Sequence, residues 1–132
     1  MTEINWQPVS FLPQIRDMIS GMLDAARETH EPLRQIKVHD DYTIERIFEV
    51  TGQQVEDEWL YDEQLSRWMG NKKLKPAQRT EIQSLQEQME KLKQVNRKIL
   101  AIAEAHKNKT IEKIMSKSDA ELGMEFLLGK LK

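Results

Sequence analysis

The chain has 132 residues, no cysteine and a formal net charge of -2, with 32% charged and 39% hydrophobic residues. A chain of this length builds one domain with a modest core. The lack of cysteine excludes disulfide frameworks and thiol catalysis, and no apolar run approaches the roughly 18 residues of a membrane-spanning helix. The start of the chain, MTEINWQPVS, lacks the basic region and apolar run of a secretory signal. We therefore expect a single cytoplasmic domain over residues 1–132 with no membrane contact.

The composition favours helices over strands. Only five Gly and four Pro are present, and unbranched Gln, Glu, Lys, Leu and Met side chains, which lose little rotamer freedom in a helix, are abundant. The spacing of the apolar residues agrees with this. We predict an all-α fold, an up-and-down antiparallel bundle of three long helices plus a short C-terminal helical segment.

The first predicted helix covers about residues 13–37. From Phe11 onward, apolar residues recur every three or four positions and fall in one arc of about 160° around the helix axis. Pro32 interrupts the pattern, but Leu33 and Ile36 keep the same phase. The sequence therefore predicts one long helix with a kink near Pro32, where an intrahelical hydrogen bond is lost.

The second predicted helix covers about residues 42–69 and follows a turn in which Asp40 or Asp41 is the N-cap candidate. Gly70 is the C-cap candidate at the other end. The apolar residues of this helix cover close to half of its circumference, a width typical of a helix with two neighbours. We interpret its aromatic residues as core packing: Trp59, Tyr61 and Trp68.

The third predicted helix covers about residues 76–106 and begins with Pro76, at a position where a missing N–H has no cost. Asn96 stands at an a-type position of a heptad seam in this helix. Because a single buried Asn often fixes pairing and register, Asn96 is a partner-binding candidate, and the alternative is that it packs only within the monomer. The seam steps by three and four residues in alternation, as in a coiled coil: Ile82, Leu85, Met89, Leu92, Asn96, Ile99 and Ala103.

A fourth, C-terminal helical segment is predicted over about residues 110–128, and on a continuous helix its apolar residues form two opposite faces. The first face can pack on the bundle, while the second then needs a partner or a second copy. A break between Lys117 and Ser118 is the alternative, because the capping-box spacing of Ser118 and Glu121 marks a new helix start that lets all of these residues join one core. The first face contains Ile111, Ile114, Met115, Leu122 and Phe126, and the second, partner-binding face contains Met124, Leu127, Leu128 and Leu131.

Glu58 and Asp62 fall in the middle of the apolar arc of the second helix, one turn apart. Buried acidic pairs provide metal ligands or general acids in helical bundles. In an antiparallel bundle, however, Asp62 lies level with about residues 17 and 83, whereas His106 lies level with about residue 39, so no histidine reaches the pair. We expect no metal and no cofactor. We expect Asp62 either to pair with a cation of the first helix such as Arg16 or to lie at a rim between two packing surfaces.

Charge divides the chain into an acidic and a basic half. Residues 1–71 contain 14 acidic and 6 basic residues, whereas residues 72–132 contain 8 acidic and 14 basic ones. Two such halves can pack against each other, within one chain or between two. Contact of the basic half with nucleic acid is less favoured, because glutamates interleave the lysines and arginines of the third helix and stacking aromatics are missing there.

No nucleophile elbow, phosphate loop or metal-ligand cluster occurs in the sequence. We therefore predict a non-enzymatic helical protein, an adaptor or regulator that binds a protein partner and self-associates as a homodimer. One alternative is a nucleic-acid-associated regulator that uses the basic half. The other is a small metal- or ligand-binding bundle that uses Glu58 and Asp62.

Overall fold

Three long helices and a short fourth one follow each other, without a strand, in residues 4–116, the part of the chain that the computed structural model describes. After a 3₁₀ turn at Val9–Phe11, α1 spans Leu12–Gln35, α2 spans Asp41–Met69, α3 spans Pro76–His106 and α4 spans Ile111–Met115. The predicted all-α bundle is confirmed, and the three long helices begin and end within two residues of the predicted bounds. The predicted extension of the fourth helix to residue 128 lies outside the described residues.

Side-chain hydrogen bonds fix where α2 and α3 begin. The Asp40 carboxylate accepts a hydrogen bond of 2.7 Å from the Thr43 N–H, which satisfies one of the free N–H groups at the start of α2. At the start of α3, the Gln78 side chain accepts a bond of 3.0 Å from the Lys75 N–H, and Pro76 is the first helical residue. Of the two aspartates that precede α2, Asp40 is therefore the N-cap.

The first helix continues through Pro32 and ends at Gln35. A proline inside a helix removes one backbone hydrogen bond. Leu33, which follows the proline, is only 5% exposed, so packing of the last turn against the core stabilises the helix beyond Pro32.

The third helix is the centre of the bundle. It packs closely against both α1 and α2, whereas α1 and α2 approach each other less closely. The heptad spacing of α3 therefore describes packing within one chain, against two neighbours. All seven residues of the predicted seam are buried, none more than 1% exposed: Ile82, Leu85, Met89, Leu92, Asn96, Ile99 and Ala103.

The short helix α4 is anchored at the lower end of the bundle, which we define as the end where α1 ends and α2 begins. Its first N–H, at Ile111, donates to the His39 carbonyl oxygen over 2.9 Å. Thr110 is fully buried and its hydroxyl donates to the Asp41 carboxylate over 2.5 Å. Ile111 and Met115 are nevertheless 50% and 76% exposed, so the bundle covers the apolar face of α4 less than predicted.

The aromatic residues of α2 divide between the core and the surface. Trp68 is 4% exposed and its indole N–H donates to the Gln7 carbonyl oxygen over 2.8 Å, while Tyr61 is half-buried against the core. Trp59 is 53% exposed, so the prediction that it packs in the core is wrong. Its ring lies edge-on to Trp6, with centroids 6.4 Å apart, because the N-terminal segment reaches this face of α2.

Candidate functional site

A groove runs between α1 and α2, and α3 forms its floor in the middle and lower parts. It consists of three cavities, which we name upper, middle and lower, starting from the end where α1 begins. The upper and middle cavities share Asp57 and Tyr61, and the middle and lower cavities share Gln54, so the three form one continuous feature. On α2 the groove extends from Gln64 to Val50, about 21 Å at 1.5 Å per residue. It exists because α1 and α2 both pack more closely on α3 than on each other.

The upper cavity is the largest of the three, with a volume of about 360 Å³. The N-terminal segment, the start of α1 and the end of α2 form its walls. Three of its apolar residues are well exposed, with Ile4 at 44%, Phe11 at 36% and Met18 at 46%, and Asp57 is the charged residue of its lining. This volume lies within the usual range for binding pockets, and the exposed rim provides an apolar contact surface.

Hydrogen bonds hold the N-terminal segment on α2 beside the upper cavity. The Gln7 N–H donates to Gln64 Oε1 over 2.7 Å, and the Gln7 carbonyl oxygen accepts from the Trp68 indole N–H. The Arg67 guanidinium lies 4.5 Å from the centroid of the Trp6 ring, a cation–π contact. Helical periodicity does not reveal this segment, because its contacts join residues about 60 positions apart and leave no repeating pattern.

Glu58 is the buried acid of the middle cavity, which has a volume of about 200 Å³. The residue is 9% exposed, and its Oε2 has no hydrogen-bond partner among the described residues. Burial raises the pKa of the Glu58 carboxyl, while the nearby Asn96 amide and the positive charges of Lys93 and Arg97 partly oppose the rise. The cavity therefore disfavours the ionised form of Glu58.

Asp62 does not share this burial. Its side chain is 39% exposed and pairs with Lys93 of α3 over 2.5 Å, an interaction that raises the pKa of Lys93. Arg16 pairs with Glu81 of α3 over 2.8 Å. The predicted buried pair of Glu58 and Asp62 and the predicted contact of Asp62 with Arg16 are both wrong, because α3 supplies the ion-pair partners of both neighbouring helices.

Asn96 lies on the floor of the groove, in the lining of the lower cavity. It is 1% exposed, and its amide donates a long hydrogen bond of 3.4 Å to Gln54 Oε1 of α2. A side chain buried in this way does not contact a second chain across the outer surface of α3. The role of Asn96 in partner binding stays a prediction, and the geometry restricts it to a ligand that enters the groove.

His39 and His106 meet at the lower end of the bundle, at the level predicted for them. Their ring centroids are 4.9 Å apart, and His39 is 2% exposed with an Nε2 that lacks a hydrogen-bond partner within residues 4–116. Burial lowers the pKa of His39, and the charge of His106 lowers it further. In this described part of the chain, no three His, Cys, Asp or Glu residues form a group that could hold a metal ion.

Lys93 of α3 and Lys107, which directly follows the last residue of α3, are paired with acids. Lys93 lies 2.5 Å from Asp62 and 3.1 Å from Glu90, and Lys107 lies 2.5 Å from Glu104. These ion pairs neutralise part of the positive charge that a phosphate backbone would meet. The charge pattern of α3 therefore gives nucleic-acid binding no specific support.

The remaining predicted partner-binding residues lie outside the described residues, which end at Ser116. The same holds for the predicted capping box of Ser118 and Glu121. The partner-binding residues in question are Met124, Leu127, Leu128 and Leu131.

Comparisons of the chain with family models, with curated proteins and with solved structures give no match. Within residues 4–116, none of the helices combines the length and the apolar character needed to cross a membrane. The function is therefore inferred from the geometry and chemistry of the groove.

Proposed function

We propose that this protein is a non-enzymatic interaction module that binds protein, including a second copy of itself, through the upper cavity of the groove between α1 and α2. The observation that carries the proposal is the exposed apolar rim of this cavity, formed by Ile4, Phe11 and Met18. A contiguous apolar surface next to a cavity is typical of a protein–protein contact site.

A second copy of the chain is the partner that we favour. In a two-fold symmetric dimer both subunits present the same patch, so the Phe11 or Met18 side chain of one copy is available to enter the upper cavity of the other. Trp59 is 53% exposed and contacts Trp6 beside this cavity, which extends the apolar surface along α2. Exposed Trp residues are frequent anchors in protein interfaces.

The titratable residues of the groove support binding over catalysis. Asp57 and Glu58 are the acids that line the three cavities, and no histidine of the described residues lines any of them. Histidine is the side chain that most often transfers protons in catalysis at neutral pH. The described lining of the groove thus offers two carboxyl groups and no imidazole, and its other side chains are mostly apolar or amide groups that suit binding.

Light scattering after size-exclusion chromatography, run on the full chain over a concentration series, tests the proposal. We expect the mass to rise from 15.6 kDa toward twice that value as the concentration increases. Met18→Asp places a charge on the rim and should weaken the association about tenfold or more. Phe48→Asp is the matched control, because Phe48 is 37% exposed on α2 but lies outside the groove lining. A mass of 15.6 kDa at every concentration, or equal weakening by both variants, would contradict the proposal.

A further inference from the structure

The middle cavity differs from the upper one in its charge and its size. Two acids, Asp57 and Glu58, line it, and none of the other described residues in its lining is charged. Its volume of about 200 Å³ is below the usual range for drug-sized ligands. A cavity of roughly 150 Å³ holds a benzene ring, so the middle cavity is suited to a molecule of about six non-hydrogen atoms.

The negative charge of Glu58 lacks a direct partner in the described part of the chain. The residue is 9% exposed, and its Oε2 accepts no hydrogen bond there. The charges of Lys93 and Arg97 act on Glu58, but neither residue lines the cavity. Lys93 Nζ instead lies 2.5 Å from Asp62 and 3.1 Å from Glu90. A buried carboxylate is stabilised by a cation that also donates hydrogen bonds to it, so the cavity favours a ligand with a charged N–H group.

The remaining walls of the middle cavity suit an organic cation better than a metal ion. Met22 of α1 and Met89 and Leu92 of α3 form an apolar surface opposite α2, and methionine side chains adapt to small apolar groups. Tyr61 adds an aromatic ring to the lining, and aromatic rings attract organic cations. Hard metal ions take about six or more oxygen ligands, which such walls do not supply.

We propose that the middle cavity binds a small protonated alkylamine, with its ammonium group at Glu58 and Asp57 and its alkyl chain against the apolar walls. The ammonium group donates hydrogen bonds to the Glu58 carboxylate and provides the positive charge that the lining lacks. The rim residues proposed for self-association, Ile4, Phe11 and Met18, do not line this cavity. Amine binding is therefore a separate property of the groove and is tested independently of the second copy.

Titration of the full chain with n-butylammonium chloride, followed by the ¹³C-methyl signals of Met22 and Met89, tests this inference. The titration is run at pH 8, because burial raises the pKa of Glu58 and an alkylamine, like lysine, is still protonated there. We expect both signals to shift and to saturate with a Kd of about 1 mM. The signal of Met115, which is 76% exposed on α4, should stay constant. The neutral probe n-butanol has the same number of non-hydrogen atoms and should bind about tenfold more weakly or less.

Two variants assign the binding to the carboxylate. Glu58→Gln keeps the shape of the side chain, removes its charge and should weaken the binding of n-butylammonium about tenfold or more. Glu56→Gln makes the same change at an exposed position of α2 and should keep the wild-type affinity. Circular dichroism of both variants verifies that they are folded, so that a loss of affinity reports on the site.

Three results would overturn the inference. The first is the absence of a saturable shift up to about 10 mM n-butylammonium, ten times the expected Kd. The second is equal affinity for n-butanol, or equal weakening by both variants. The third is a shift of the Met22 and Met89 signals with protein concentration alone, which would place a side chain of a second copy in the cavity. The mass measurement with Met18→Asp decides separately on self-association through the upper cavity.

Discussion

Replacement of Glu58 by glutamine should stabilise the protein at neutral and alkaline pH. Glu58 is 9% exposed with an unpartnered Oε2, and burial raises the pKa of its carboxyl above the ordinary value of 4.5. An acid with a raised pKa binds its proton more tightly in the folded state than in the unfolded chain. Its favourable contribution is therefore complete below about pH 4.5 and is lost as the pH rises through the folded-state pKa. The neutral amide of glutamine avoids this loss.

Two opposing terms set the size of the effect. A buried polar atom without a hydrogen bond costs about 1–3 kcal/mol and more when the group is charged, so glutamine relieves only the additional cost of the charge. The Asn96 amide and the charges of Lys93 and Arg97 favour the ionised carboxylate, and glutamine gives up these attractions. We therefore expect a net gain in the free energy of unfolding at the lower end of this range, about 1 kcal/mol near pH 8. For a chain of this length such a gain raises Tm by about 4 °C.

Urea unfolding followed by circular dichroism at pH 4, 6 and 8 measures this prediction. The gain in the free energy of unfolding from Glu58→Gln should be smallest at pH 4, where the Glu58 carboxyl is mostly protonated, and should grow toward pH 8. Glu56→Gln is the matched control, since it makes the same change at an exposed position of α2, and its stability should follow that of the wild type. A Glu58→Gln variant less stable than the wild type at pH 8 would refute the reasoning, because it would mean that the buried carboxylate is well paired.

Three further predictions use the same unfolding assay. Burial lowers the pKa of His39, so the neutral imidazole should stabilise the fold and this contribution to the free energy of unfolding should be lost as the pH falls from 7 to 5. His39→Phe should reduce the loss, and an unchanged pH profile would contradict the burial argument. Leu85 lies in the seam of α3 and is 1% exposed, so Leu85→Ala should lower the free energy of unfolding by about 2–5 kcal/mol. A loss smaller than that of a surface substitution would contradict the central position of α3. Asp62→Asn should cost at most about 1 kcal/mol and less at high salt, since its ion pair is partly exposed. A double-mutant cycle should couple Asp62 to Lys93, and coupling to Arg16 instead would refute the assigned pair.

The helices were predictable from the sequence because burial on one central helix imposes a regular spacing. The residues on the core-facing side of a helix recur every three or four positions, and the buried residues of α3 do so from Ile82 to Ala103. The same regularity put His106 level with His39, and the rings do meet, with centroids 4.9 Å apart. Local chemistry also sufficed to restrict the N-cap of α2 to Asp40 or Asp41, and the observed N-cap is Asp40.

The candidate site was less predictable because it depends on contacts between elements. A helical wheel places Asp62 and Glu58 on one face of α2, but it does not show that α3 brings Lys93 to Asp62 and leaves Glu58 in a cavity. The exposure of Trp59 follows from the N-terminal segment, whose path over α2 leaves no periodic signal. The groove itself results from the weaker packing between α1 and α2. The wide apolar arc of α2 predicted two neighbours for that helix and did not show that α3 would be the helix between the other two.

The central claim is that the upper cavity is the surface through which the chain binds a second copy. The most direct test is the ¹³C-methyl signal of Met18 during a dilution series of the full chain, with Met115 as reference. Met18 lies on the rim of the upper cavity, whereas Met115 is 76% exposed on α4. Our account predicts that the Met18 signal shifts with concentration in parallel with the mass from light scattering, while the Met115 signal stays constant. A dimer that forms with an unchanged Met18 signal would contradict the account and place the interface elsewhere on the molecule.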